Sequence, residues 1–346
     1  MKYLSSLLLL MFVSLCASAK IWRINNNAGV TADFTTAYQA INAAAAGDTI
    51  HVESSPDTYD TQSMTLTKKL IFIGPGYFLN PANTNEPYNA GLQAVTQEGR
   101  LGFMRMGAGA DGTKFLGVTF VQQCYINGGD NVSFERVYFV QSLYFENGAD
   151  DNISVRKCFF LNGGNINTSG TAVPTNITIE NNIFYNSYIN LPTLTGSGNL
   201  IRNNSFYGGP GVTAENAYFA NNILYTGNQC SFTNCTVKNN LFQITQTLPG
   251  TATNNQLNVN MANVFVGGTT GSLDSRVVLK SGSPAIGAGL TVGAVTSPNC
   301  GAYGGTDPYK LSGIPNVPSI YTYTVPTSIP SGSATMNISF SSRNNN

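Results

Sequence analysis

The sequence holds one histidine, His51, and one tryptophan, and only 10% of its 346 residues are charged. A single histidine rules out a histidine metal cluster. No Ser-His-Asp set, Cys-His set or phosphate loop is present either. Charge of neither sign dominates, with 17 basic and 17 acidic residues. The basic stripe that tracks a phosphate backbone is missing, so nucleic acid is excluded as a partner. Strong helix formers give way to glycine (36 residues), asparagine, serine and threonine, a composition that suits strands and turns. The longest apolar run lies in the first 19 residues, MKYLSSLLLLMFVSLCASA. It is too short to remain as a membrane span. With Lys2 before it and Ala17-Ser18-Ala19 after it, it reads as a secretory signal peptide cleaved near Ala19. The expected location is outside the cytoplasm: extracellular, periplasmic or cell-surface.

What is present is a repeat. Between residues 113 and 243, segments line up on Phe120, Phe139, Phe160, Phe184, Phe206, Leu224 and Phe242, at steps of 19, 21, 24, 22, 18 and 18 residues. A quasi-period of this length predicts a solenoid. Five residues before each anchor stands another apolar residue: Phe115, Phe134, Val155, Ile179, Ile201, Phe219 and Val237. The local alternation is that of a strand, broken at Asn199. No single turn could bury such a face alone, but stacked turns make one continuous core. The next column, from Glu135 through Arg156 and Glu180 to Arg202, alternates in sign and predicts cross-strand pairs on an outer face. Paired asparagines at 181/182, 203/204, 221/222 and 239/240 predict sharp bends, because asparagine tolerates the left-handed conformation. The same reading covers Asn176, Asn203 and Asn234, which also match the glycosylation pattern.

Before the repeat, IWRI at 21–24 predicts a strand. Residues 33–47 predict an amphipathic helix capped by Asp33 and Gly47, which would close one end of the solenoid. Residues 77–99 break the period as a long loop, with Tyr77, Phe78 and Tyr88 expected to be exposed. Such a loop on a regular scaffold is a natural place for binding. Residues 268–282 are expected to mark the last turns. From residue 312 a linker leads to two strands, YTYTV and ATMNISF, in an appendage too small for its own core. The domain reading is thus signal peptide 1–19, solenoid 20–311 and β appendage 312–346. Of the five cysteines beyond the leader, Cys230 and Cys235 are the best candidate pair, and Cys158 fits a small buried residue.

One column bears on chemistry. Asp111, Asp130 and Asp151 fall at equivalent places on three successive turns. Stacked at strand spacing they would repel one another, and a calcium ion would remove that cost. The segments GADG, GGDN and GADDN are also ordinary turn sequences, in which aspartate is at home.

AYQAINAAAAGDTIHV, MTLTKKLIFIGPG, the I-x-x-N-N-x-F repeats and the late LKSGSPAIGAG with NCGAYGGTDPYK resemble secreted bacterial right-handed parallel β-helix proteins of the pectate-lyase-like superfamily, over roughly residues 20–310. The resemblance implies an all-β right-handed parallel β-helix with a short N-terminal capping helix. It leaves activity open, since a fold does not carry one function. Enzymes of this superfamily that bridge an acidic sugar with calcium also need a basic residue. Arg156 and Lys157 are the candidates for that role here. The Gly-His-Gly and Arg-Ile-Lys motifs of the polygalacturonase-like hydrolases are missing. The leading expectation is a non-catalytic protein that binds a polysaccharide or serves as a structural module. The alternatives are a calcium-dependent lyase of an acidic polysaccharide and an adhesin-like, self-associating protein.

Overall fold

A computed structural model describes residues 19–60 and 62–344. The predicted signal peptide therefore lies outside the described residues, apart from Ala19. Three parallel sheets wind into a solenoid of about nine turns. The long sheet has ten strands, from Ile21–Ile24 to Thr236–Lys238. The second has eight, from Arg100–Leu101 to Leu241–Phe242, and the third has eight, from Met64–Leu66 to Ser231–Thr233. A separate antiparallel pair, Ser319–Thr324 and Ser339–Arg343, forms near the C-terminus. Among the described residues no helix is long and apolar enough to cross a membrane.

The anchor column pairs in register along the second sheet, and the column five residues earlier does so along the long sheet. Phe139, Phe160, Phe184 and Phe206 stack with ring centroids 4.7 Å apart and planes within 6–9°. That spacing is the distance between neighbouring parallel strands, so the backbone ladder itself sets the rings face to face. Asn199, the break in the apolar pattern, is fully buried. Its Oδ1 accepts from the Ile177 N–H at 3.0 Å, and its Nδ2 donates to the carbonyls of Thr195 and Asn216.

The paired asparagines divide their work. The second of each pair points inward as a buried ladder: Asn182, Asn204, Asn222 and Asn240 each receive the turn before, and Asn255 extends the row. The Oδ1 of Asn204, Asn222, Asn240 and Asn255 each takes a backbone and a side-chain N–H, and each Nδ2 of the row also reaches a strand carbonyl such as Val155 O or Ile179 O. Cys158 occupies the bend position one turn earlier, buried, with its N–H donating to Asn182 Oδ1 at 2.8 Å. The first of each pair takes a positive φ: Asn181 56°, Asn203 53°, Asn221 57° and Asn239 53°. Lys157 (53°) and Arg136 (56°) occupy the same column on earlier turns, where an ordinary side chain costs about 1–2 kcal/mol.

That corner column holds the chain's return. After Phe242 the regular strands stop, and residues 243–256 add only isolated bridges at Lys238–Thr253 and Leu241–Gln256. Residues 268–282 are not turns of the solenoid. Residues 261–314 instead run back over the outer face of the second sheet. There Met261, Phe265, Leu273, Cys300, Tyr309 and Ile314 bury against an outward row that includes Tyr138, Phe159, Ile183, Ile223 and Leu241. Asn239 donates to Ala288 O, Asn221 accepts from Leu290 N, Asn203 donates to Asn299 O, and Asn181 to Ala302 O and Gly304 O. Lys157 pairs with Asp307 at 2.6 Å, and Arg136 donates to Ile314 O. One column of left-handed residues thus fastens the returning strap turn by turn.

Three expectations are corrected. The helix, α1, runs Ala37–Ala43 and is capped by Thr36, whose Oγ1 accepts from Gln39 N at 3.2 Å. Asp33 accepts from Arg23 N instead, because Phe34 bridges to Ile24 as a strand residue. Tyr77 and Phe78 are buried, wedged edge-on between the second sheet and the strap. The Tyr77 hydroxyl meets that of Tyr309 at 2.6 Å, and Tyr309 reaches Asp274. Gly313, at φ 51°, lies so near the Tyr77 ring that a Cβ would collide with it. Finally, Cys230 and Cys235 are both free thiols. Cys235 is turned to the Ala214 and Thr233 carbonyls, while Cys230 accepts from the Val212 N–H.

Candidate glycan-binding face

The three sheets present three different outer faces. The second is covered by the strap. The long sheet carries the charge ladder, in the register read from the sequence. Glu180 pairs with Arg156 at 3.2 Å and Arg202 at 2.8 Å, whereas Glu135 turns to Lys157 and Arg136 at the corner. Arg156 also meets Asp307 at 3.4 Å. The Lys157 side chain is 4% exposed and its ammonium is shared between Asp307 and Glu135.

Asp111, Asp130 and Asp151 do line up, at the opposite end of the same strands. Asp111 Oδ1 accepts from Asp130 N at 2.9 Å, Asp130 Oδ1 from Asp151 N at 2.8 Å, and Asp151 Oδ1 from Asn176 Nδ2 at 2.7 Å. Each carboxylate offsets its neighbour's repulsion by accepting a hydrogen bond from the following turn. Among the described residues no three His, Cys, Asp or Glu side chains are placed to share a metal ion. Asp150 points the other way, into the protein. Its Oδ1 accepts from Gly128 N, and burial pushes its carboxyl up to about 6. Arg156 ends the strand Ser154–Arg156 and Lys157 stands at the corner beyond it, and among the described residues they pair with Glu180, Glu135 and Asp307 and with none of the three aspartates.

The third sheet presents a different surface. Its outward row reads Thr65, Arg105, Tyr125, Tyr144, Asn167 and Asn190, one residue per turn. Tyr125 and Tyr144 stack at 5.0 Å with planes 15° apart. Phe103 leans on Tyr125 at 5.2 Å, and the Arg105 guanidinium lies over both rings. Glu146 holds Arg105 at 2.9 Å and accepts from Asn127 Nδ2 at 3.2 Å. The three aromatic residues are only half-buried, so each keeps part of its surface open to solvent. The result is an aromatic strip several turns long, bordered by a fixed cation, a carboxylate and amides. Rings that offer an apolar face and a polar rim, beside oriented donors and acceptors, suit a ligand that is itself a series of apolar faces edged by hydroxyls. The sequence reading passed over these residues because it followed the Phe anchors. The signal was there: Tyr125 and Tyr144 are 19 residues apart, the same step as Phe120 and Phe139.

No family model matches the chain, and no curated protein is significantly similar to it.

Proposed function

We propose that the protein is an extracellular, non-catalytic glycan-binding β-solenoid whose sugar-contacting surface is the outer face of the third sheet. The observation that carries this reading is the Tyr125–Tyr144 stack, with Arg105 over the Tyr125 and Phe103 rings and tied to Glu146. Phe103, Tyr125 and Tyr144 place one ring on each of three successive turns, so a linear polysaccharide lying along the solenoid axis meets three aromatic contacts in line. Asn127 and Asn190, both partly exposed, stand beside the strip as hydroxyl partners. The resemblance to secreted β-helix proteins of the pectate-lyase-like superfamily is in keeping with a polysaccharide ligand. A calcium-dependent lyase draws less support, because the acidic row is occupied by hydrogen bonds from the next turn and Arg156 and Lys157 are paired with Glu180, Glu135 and Asp307.

Affinity electrophoresis against neutral and acidic polysaccharides tests the reading. Retardation of the wild type in at least one gel is expected. Tyr125→Ala and Tyr144→Ala should each weaken it about tenfold or more, the effect of losing a well-packed aromatic contact. If both variants migrate as the wild type does in every gel that retards it, the face is not the binding surface.

A further inference from the structure

The loop that breaks the period roofs a second, separate cavity. It has a volume of about 240 Å³ and opens on the second sheet, where the strap does not cover it. Buried Thr119 and Tyr138 form its floor, Arg100 stands at one side, and the loop supplies Asn80, Asn83, Glu86 and Glu98. Both carboxylates are fixed by neutral donors. Glu86 Oε1 accepts from the Tyr138 hydroxyl at 2.7 Å. Glu98 accepts from the Thr119 hydroxyl at 2.9 Å and from Phe78 N at 3.1 Å.

Glu53, Glu135, Glu146 and Glu180 each have a cationic partner within 3.5 Å. Glu86 and Glu98 share one cavity and, among the described residues, have none. Arg100 forms no ion pair among the described residues; its Nη1 donates to Pro56 O at 3.5 Å, and its Nε, like that of Arg105 and Arg156, is buried without an acceptor. Asn80 and Asn83 direct their Oδ1 atoms to the loop's own N–H groups, which leaves both Nδ2 donors unused by the chain. The cavity therefore offers two fixed carboxylates, free amide donors and a guanidinium with an unmet donor. With both carboxylates ionised its net charge is negative, because Arg100 offsets only one of them. The volume is below that of a pocket for a drug-sized apolar molecule and suits something the size of one sugar unit.

We propose that this cavity is a second ligand site, distinct from the aromatic face, and that it takes a small polyhydroxylated amine. The ammonium lies between Glu86 and Glu98, where it removes the repulsion between them. The hydroxyls accept from Asn80, Asn83 and Arg100. The groups facing Glu98 are Glu86, Arg100, Tyr138 and Thr119. Burial, with Glu86 beside it, pushes the Glu98 carboxyl up to about 7, so a cationic ligand must displace a proton near neutral pH.

Titration calorimetry on the chain from Lys20 tests this with glucamine and its neutral counterpart sorbitol, at about pH 6 and pH 8. One glucamine is expected to bind, about tenfold or more tighter than sorbitol, and more tightly at the higher pH. Glu86→Gln and Glu98→Gln, which preserve shape, should remove that preference. Arg100→Gln, which removes a hydroxyl donor but neither carboxylate, should weaken glucamine and sorbitol alike and leave the preference between them. Tyr125→Ala should change none of these values, which separates failure here from failure of the aromatic face. Equal affinity for glucamine and sorbitol, no binding of either, or a preference that survives in both glutamine variants, would overturn the proposal.

Discussion

At the residue scale, the inward asparagines carry the most information per side chain. Asn204 accepts two N–H groups from Asn182 and donates to Ile179 O, all in the dry interior. Asn204→Ala strands several polar groups at once, each costing about 1–3 kcal/mol. Urea unfolding should show a loss of at least ~2 kcal/mol, against near silence for a substitution at exposed Asn228. Titration is the other residue-level effect. Glu98 is held near 7 and Asp150 near 6, both above the ordinary carboxyl range, chiefly by burial. The folded chain therefore binds these protons more tightly than the unfolded chain. Their contribution to stability is complete below the unfolded values and is lost as pH rises through the folded ones. The melting temperature should fall by a few °C, roughly, between pH 5 and pH 8, and Glu98→Gln should flatten that slope. A slope unchanged in the variant would assign the effect elsewhere.

At the element scale, each strand is only two to four residues long along the repeat, too short to persist by itself, and is held by its neighbours above and below. The stacked phenylalanines are where turns adhere. Phe160 touches rings on both sides at 4.7 Å, so Phe160→Ala opens a cavity shared by three turns. A loss of about 3–5 kcal/mol is expected by chemical denaturation. The helix α1 serves the same end at the first turns: Ala37, Ala40 and Ile41 close the core, and only small residues let it lie so near the sheet.

At the scale of the whole molecule, the strap turns an open-sided coil into a prism with one covered wall. Its fastening depends on the corner column, including the Lys157 ammonium, which has Asp307 at 2.6 Å and Glu135 at 3.3 Å. Burial works against the charge on Asp307, but its hydrogen bond to Lys157 and the nearby cations hold its carboxyl below the ordinary range. Asp307→Ala should cost about 1–3 kcal/mol. It should also speed hydrogen exchange at Tyr309, whose N–H donates to Ala302 O, while leaving the inner strand amides protected. Uniform protection in the variant would mean that the strap is held by its apolar contacts alone. The two binding surfaces follow from the same arrangement, because the strap leaves the third sheet bare and stops short of the cavity beside Glu98.

The repeat by itself determined the coil. An apolar residue at each anchor and another five residues earlier can be buried only by stacking, and the register that stacks them also pairs Glu180 with Arg156 and Arg202. It determined the bends too, since Asn181 and its equivalents are among the few residues that accept a left-handed backbone. Only the tertiary structure decided which outer face is covered. Tyr138, Phe159, Ile183, Ile223 and Leu241 each stand just before an anchor and break the strict alternation, but their partners are 20 or more residues away along a strap with no period of its own. The same distance hid the burial of Tyr77 and Phe78, which rests on Tyr309 and Ser312. The candidate sites were legible only as isolated letters. Tyr125, Tyr144 and Arg105 become a surface, and Glu86 and Glu98 a cavity, when winding brings residues 12 to 41 positions apart onto one face.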